Sequence, residues 1–275
     1  MHDIYENPGL RLVSARTLDQ LKESMLFRYD RSRKIVQSLP NHYDDQIKKN
    51  SEYFEKRNPG YKGNFPTTCN SLGLRQPYEI LTEVDCCFYG CSITWGSGVP
   101  DSAVWPAQLA SSMGWSYNNF AVPAIGQEEC VNLFMATSRM IKMQTAIFML
   151  PDFSRVTQAF MHEDQLEYFT ITGILPSNSR KDIEQFHRDY NMLPDYFFYD
   201  KQMRNLEIIS RLAELQGIRV LVSNWSGHSL PTTLNLTTVT VPCGSTDKNG
   251  RDRSHPGCQW HMDVAAQFQT AIDIL

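Results

Sequence analysis

The chain has 275 residues, with 41% hydrophobic and 20% charged residues, which is typical of a folded globular protein with one sizeable core. Its net charge of -4, with Lys and Arg scattered along the chain, argues against a nucleic-acid partner, because such a partner requires a concentrated basic face. No stretch approaches the ~18 apolar residues that span a bilayer, and no apolar leader begins the chain, so we expect a cytoplasmic protein without a membrane partner.

Residues 1–69 are predicted to form a helical N-terminal extension. Apolar residues recur at helical spacing between Thr17 and Leu39, and Pro40 ends this predicted helix. A second, weaker helix is predicted over residues 41–58, before a loop rich in glycine and proline. We interpret the extension as an arm that packs on the rest of the chain or, in a homo-oligomer, on a neighbouring subunit.

An apolar run from Val84 to Tyr89 ends abruptly in small residues. This pattern predicts a short buried strand and then a tight turn, for which Gly90 provides backbone freedom. The turn would deliver Ser92 to the carboxyl edge of the sheet, where open α/β sheets have their chemistry. The crowded Cys86, Cys87 and Cys91 are interpreted as small buried side chains, and no recurring Cys-x-x-Cys pair indicates a metal site.

Strands and helices alternate through the rest of the chain. The predicted elements are a helix over 105–114, a strand over 115–122, a helix over 127–143, a strand over 145–150, a helix over 199–216, a strand over 218–223 and a short strand over 238–241. Residues 157–198 are predicted to be an irregular insertion that partly covers the active-site edge. Its aromatic residues would form a satellite core or, alternatively, a stacking surface for sugar rings.

A second motif, Asp252-Arg253-Ser254-His255-Pro256-Gly257, comes just before a predicted terminal helix. It supplies a carboxylate and an imidazole three residues apart. Together with a serine, these are the parts of an activated hydroxyl nucleophile. His261, inside the terminal helix, is interpreted as a packing residue.

The two motifs, in this order and at this separation, resemble those of the SGNH (GDSL-type) hydrolases. The first motif, Gly90-Cys91-Ser92-Ile93-Thr94-Trp95-Gly96, has Cys91 where that family has an aspartate. The resemblance covers residues 70–275 and implies a hydrolase domain over that range. It also implies a three-layer α/β/α sandwich with a mainly parallel, flavodoxin-like sheet of about five strands, without cofactor or metal.

The resemblance assigns roles to individual residues. Ser92 would be the nucleophile, His255 the general base and Asp252 the group that orients the imidazole. The main-chain N–H groups of Ser92 and of Ala124 or Gly126 would form the oxyanion hole. Alanine can donate the same N–H as the family's glycine, although it does not adopt a positive φ cheaply.

The family's third block, Gly-x-Asn-Asp, should follow the strand that ends at Leu150. The chain has Pro151-Asp152-Phe153-Ser154-Arg155 instead, so the usual asparagine donor is missing. Ser154, Arg155 and Asn224 are the nearest replacements for oxyanion or substrate contacts. Arg155 would alternatively bind an acidic substrate group, pair with Asp152 or cap the loop.

The expected function is that of a serine esterase that hydrolyses a small acyl ester through an acyl-enzyme. An acetyl ester of a carbohydrate is one candidate substrate. The alternative is a binding or structural protein that keeps the scaffold with reduced or no catalysis, because the second and third blocks are altered. Thiol chemistry at Cys91 is a third interpretation, which inward packing of this side chain would disfavour.

Overall fold

The computed structural model describes residues 15–24, 43–63, 65, 67–162, 165–171, 181–225, 230, 234–244, 247–251 and 255–275. The strands are β1 (Glu83–Gly90), β2 (Tyr117–Asn119), β3 (Lys142–Leu150), β4 (Val156–His162), β5 (Gln165–Ile171), β6 (Arg219–Asn224) and β7 (Thr237–Thr238). The helices are α1 (Tyr43–Arg57), α2 (Ser92–Trp95), α3 (Trp105–Met113), α4 (Gln127–Thr137), α5 (Lys181–Asn191), α6 (Asp195–Gln216) and α7 (Cys258–Ile274). Residues 18–24 are also helical, and Asp101–Ala103 form a single 3₁₀ turn.

Five strands form a parallel sheet in the order β2-β1-β3-β6-β7. With the strands of this sheet numbered by themselves, the order is 2-1-3-4-5, which is the flavodoxin-like arrangement. Helix α3 packs against α7, and α4 packs against α6. The predicted α/β class and the five-stranded parallel sheet are therefore confirmed.

Two neighbouring aromatic residues of β1 show that helices cover both faces of the sheet. Phe88 contacts Trp105 of α3 with ring centroids 5.2 Å apart, and Tyr89 contacts Phe134 of α4 at 5.5 Å. Successive side chains of a strand point to opposite faces, so α3 and α4 lie on opposite sides of β1. A strand covered on both faces must be apolar almost throughout, which explains the run in the sequence.

The boundary between α4 and β3 differs from the prediction. The helix ends at Thr137, and β3 begins at Lys142, where residues up to 143 were predicted to be helical. Exposed Lys142 and Gln144 alternate with buried Met143 and Thr145, a period of two that the helical interpretation overlooked. Lys142 also lies beside Glu83 of β1, with its Nζ 2.6 Å from the carboxylate.

The predicted irregular insertion over 157–198 was wrong in its structure. Strands β4 and β5 pair as an antiparallel hairpin, α5 follows, and α6 begins at Asp195 after Pro194. Tyr190 and Phe198 are buried with Phe153 and Phe186 packed on them, in a cluster separate from the main core. This cluster corresponds to the satellite core that was predicted for the aromatic residues of this segment.

The N-terminal extension contacts the main body of the chain. Leu21, in the helical segment 18–24, is fully buried in the main core, and the rest of the helix predicted up to Leu39 lies outside the described residues. Phe54 of α1 is also fully buried, in a second cluster with Val104 and Cys258. In the described ranges, no helix has the length and apolarity that a membrane span requires.

Candidate active site

The junction of β1 and α2 brings the candidate nucleophile to the edge of the sheet. A Cβ atom on Gly90 would lie 2.1 Å from Thr94 Oγ1 and 2.8 Å from the Met149 carbonyl oxygen, so only glycine fits there. Helix α2 runs from Ser92 to Trp95 and is followed by Gly96, whose φ of 87° is left-handed. Strand therefore passes into helix within two residues, and Ser92 lies in the first helical turn at the carboxyl edge.

The candidate base meets Ser92 from the other end of the chain. His255 Nε2 lies 2.8 Å from Ser92 Oγ, although 163 residues separate them. Both residues are half-buried. Asp252, the third member of the predicted set, lies outside the described residues. The structure thus brings together two of the three predicted side chains at hydrogen-bond distance.

The main-chain N–H of Ser92 lies at the start of α2. The first hydrogen bond within α2 runs from the Trp95 N–H to the Cys91 carbonyl at 2.9 Å, so the Ser92 N–H has no acceptor inside this helix. Cys91 precedes the helix in an extended conformation and is only 1% exposed. Its side chain packs inward, as expected for a structural cysteine.

Ala124 is the one non-glycine residue with a positive φ in the described part of the chain, at 63°. A left-handed backbone costs an alanine about 1–2 kcal/mol. Gly126, two residues later, has an extended backbone and precedes the first turn of α4. The turn before α4 therefore keeps a strained conformation at one of the predicted oxyanion positions, which is typical of a functional site.

Two of the predicted replacement donors, Ser154 and Arg155, lie in the segment after β3 and differ in their hydrogen bonding. The Ser154 hydroxyl donates to Asp152 Oδ1 at 2.6 Å, and the Ser154 N–H donates to the same oxygen at 2.9 Å. Arg155 Nε is buried without a hydrogen-bond partner in the described ranges, and no ion pair joins Arg155 to Asp152. Asn224 ends β6 opposite Leu150 of β3 and is 2% exposed.

Two side chains fix α4 to the segment after β3. Gln127 Nε2 donates to the Pro151 carbonyl at 2.8 Å. Lys201 Nζ lies 2.5 Å from Glu128 Oε1 and donates to the Arg155 carbonyl at 3.3 Å. Burial lowers the pKa of Lys201 to about 8, while the adjacent carboxylate favours its charged form. These bonds hold the turn around Ala124 and the turn around Arg155 at a fixed separation.

Arg75 anchors the loop after α2, a role that no motif in the sequence reveals. Its side chain is 3% exposed and pairs with Asp101 at 2.8 Å. Its guanidinium also donates to the Gly96 carbonyl and, at 2.6 Å, to the Val99 carbonyl. One buried fork of donors thereby fixes residues 96–101, directly after the Ser92 helix.

His261 has the packing role that the sequence interpretation gave it. It is fully buried, and its Nδ1 accepts the Trp105 N–H at 3.3 Å. Burial, with contributions from Arg75 and His255, lowers the pKa of His261 to about 3. The ring is therefore neutral near pH 7, with its proton on Nε2. His261 thus supports the start of α3 and is not the base.

No group of three or more metal-ligating side chains lies together among the residues that the structure describes.

No protein-family model matches the chain, and no curated protein matches it. Among solved structures, the chain is similar to the crystal structure of a proposed acylhydrolase from Bacteroides fragilis, with 12% identity and a TM-score of 0.36. The match covers 80% of this chain and 94% of that one. At this TM-score, the likeness does not bear on the activity of the present chain.

Proposed function

We propose that the protein is a serine esterase that hydrolyses a small acyl ester through an acyl-enzyme, as in the SGNH hydrolases that its motifs resemble. The observation that carries the proposal is the 2.8 Å distance between His255 Nε2 and Ser92 Oγ. A serine hydroxyl is a weak nucleophile unless an adjacent base removes its proton, and a neutral imidazole at this distance is such a base.

The proposed reaction has two steps. Ser92 Oγ attacks the acyl carbon while His255 Nε2 takes its proton, and the alcohol then leaves with that proton, so that an acyl-serine remains. Water attacks the acyl-serine with His255 again as base, which releases the carboxylic acid and restores the hydroxyl. Asp252 is proposed to orient the imidazole and to stabilise its protonated form.

The oxyanion is proposed to bind to main-chain N–H groups of Ser92 and of Ala124 or Gly126. The positive φ of Ala124 supports this assignment, because the family has a glycine at this position and the present chain keeps glycine-like geometry with an alanine. The cost of that conformation is understandable if the direction of an N–H group in this turn matters for catalysis.

Arg155 is proposed as the donor that replaces the missing asparagine. The Ser154 hydroxyl already donates to Asp152, whereas Arg155 Nε is buried with no acceptor in the described ranges. Arg155→Met should lower kcat/KM by ~10²–10³, the usual loss for one oxyanion donor. The matched variant Arg155→Lys keeps the positive charge but lacks the planar guanidinium. Unchanged kcat/KM in both variants would remove Arg155 from the site.

The experiment for the proposed function combines an acyl ester with an active-site label. p-Nitrophenyl acetate should be hydrolysed by the wild type and by Ser111→Ala, which changes an exposed serine of α3, but not by Ser92→Ala. A fluorophosphonate should attach to Ser92, as located by mass spectrometry. Equal hydrolysis by Ser92→Ala and the wild type would refute the proposal. If Ser92 is required for hydrolysis, comparing an acetylated sugar with esters of longer acyl groups would define the substrate.

A further inference from the structure

The loop that carries His255 is held by the N-terminal extension, which lies outside the range of the SGNH resemblance. We propose that Asn58, directly after α1, is a positioning residue that fixes the His255 loop relative to Ser92. This inference deepens the proposed function, because His255 is the base of the proposed reaction. It rests on contacts that cross from the extension to both ends of the loop.

The Asn58 amide bonds to the chain on either side of His255. Its Nδ2 donates to the Asn249 carbonyl at 2.8 Å, six residues before His255. Its Oδ1 accepts the Cys258 N–H at 2.8 Å, three residues after His255. A further bond from Nδ2 to the Phe54 carbonyl, at 2.9 Å, fixes the amide on α1. Asn58 is 4% exposed, so these bonds are shielded from water.

Asn58 also completes the first turn of α7. Gly257 precedes this helix and has no side chain to cap it. The Cys258 N–H is one of the donors that a helix leaves unsatisfied at its start, and Asn58 Oδ1 accepts it from a distant part of the chain. A Cβ atom on Gly257 would lie 2.6 Å from Asn58 Oδ1, so loop and extension are in close contact here.

Other contacts place the same part of the extension on the loop. The Tyr53 hydroxyl donates to the Lys248 carbonyl at 3.2 Å. Arg251 donates to the Phe65 carbonyl at 3.2 Å, with its guanidinium 4.1 Å from the Phe65 ring centroid. The loop also closes on itself, since the Gly250 N–H donates to the His255 carbonyl at 2.8 Å. The Arg251 N–H also donates to the Gly98 carbonyl at 2.8 Å, so the extension and the segment after α2 together hold the loop. Among the contacts from the extension, Asn58 is the most buried polar side chain.

The test uses the full chain and compares Asn58→Ala with Leu21→Ala. Leu21 is a fully buried residue of the same extension that packs in the main core, so its variant measures the effect of destabilisation alone. Asn58→Ala should slow fluorophosphonate labelling of Ser92 by about 10–100-fold, because small displacements of a catalytic group have effects of this size. Its labelling rate should also reach half-maximum at a different pH. Leu21→Ala should lower the melting temperature while both properties of the folded protein remain those of the wild type.

Asn58→Asp gives a finer comparison. The aspartate keeps an acceptor for the Cys258 N–H but loses the donor for the Asn249 and Phe54 carbonyls and places a carboxylate beside both oxygens, so its labelling rate should fall below that of the wild type. If Asn58→Ala is labelled at the wild-type rate with the wild-type pH profile, the positioning role is refuted.

A second measurement separates this inference from the esterase proposal. The imidazole NMR signal of His255, assigned by its absence in His255→Gln, should move in Asn58→Ala and stay in place in Leu21→Ala. If the wild type is not labelled at Ser92, the esterase proposal fails, and the NMR comparison alone decides whether Asn58 positions His255. An unmoved His255 signal in folded Asn58→Ala would then overturn the inference.

Discussion

The buried His261 makes a quantitative prediction about folding stability. Its pKa is about 3 in the folded chain, whereas an unfolded chain has a histidine pKa of ~6.5. Between these values the unfolded state binds one proton more than the folded state. The contribution of His261 to the free energy of unfolding is therefore fully present above pH 6.5 and decreases as the pH falls.

The size of this effect follows from the pKa difference. At pH 5 the solution is about 1.5 units below the unfolded pKa, and each unit corresponds to about 1.4 kcal/mol. Lowering the pH from 7 to 5 should therefore reduce the free energy of unfolding by about 2 kcal/mol through His261 alone. Since pH 5 is still well above the folded pKa, the folded ring stays neutral throughout this range.

The substitution His261→Asn tests this predicted pH dependence of the free energy of unfolding. The asparagine Oδ1 can accept the Trp105 N–H in place of Nδ1, but the side chain cannot take up a proton. Urea unfolding at pH 7 and pH 5, followed by tryptophan fluorescence, gives the change for each protein. The wild type should lose about 2 kcal/mol more than the variant between these pH values. Comparing the two changes removes the packing cost of the substitution. Equal losses would show that His261 titrates normally and would refute its burial as a neutral ring.

Two further predictions concern the turns beside the site. Gly90→Ala should destabilise the fold by ~1–3 kcal/mol and reduce labelling of Ser92, because its Cβ would overlap Thr94 Oγ1; a urea midpoint and a labelling rate equal to those of the wild type would contradict this. Ala124→Val should destabilise the chain by at least ~1 kcal/mol relative to Ala124→Gly, since a β-branched residue is poorly suited to a φ of 63°. The relative melting temperatures of these two variants check it, and equal values would count against the left-handed turn.

The central sheet and the meeting of Ser92 with His255 were predictable from the sequence. The apolar run up to Tyr89 indicated a short buried strand, and the resemblance paired a strand-end serine with a histidine before the last helix. The alternation of elements gave the layered fold, because each strand needs helices over its buried faces. The position of Asp252 stays a prediction.

Other features had no signal strong enough in the sequence. The β4–β5 hairpin is polar and aromatic, so its pairing did not produce a clear alternation. The role of Arg75 depends on which carbonyl groups surround it after folding, and the contacts of Asn58 are made with residues almost two hundred positions away. Such contacts depend on tertiary packing, which neither propensity nor periodicity encodes.

The sequence separation between Asn58 and the His255 loop determines when during translation their contacts can form. The two ends of the Asn58–Asn249 hydrogen bond are 191 residues apart, so all of the residues between them must be translated before that bond can form. Contacts between residues so far apart in sequence form late in folding, because the entropy of closing the loop is lost before the contacts can stabilise the chain. A nascent chain would accordingly carry Ser92 without its imidazole partner, and the proposed reactivity would appear only after His255 has been translated.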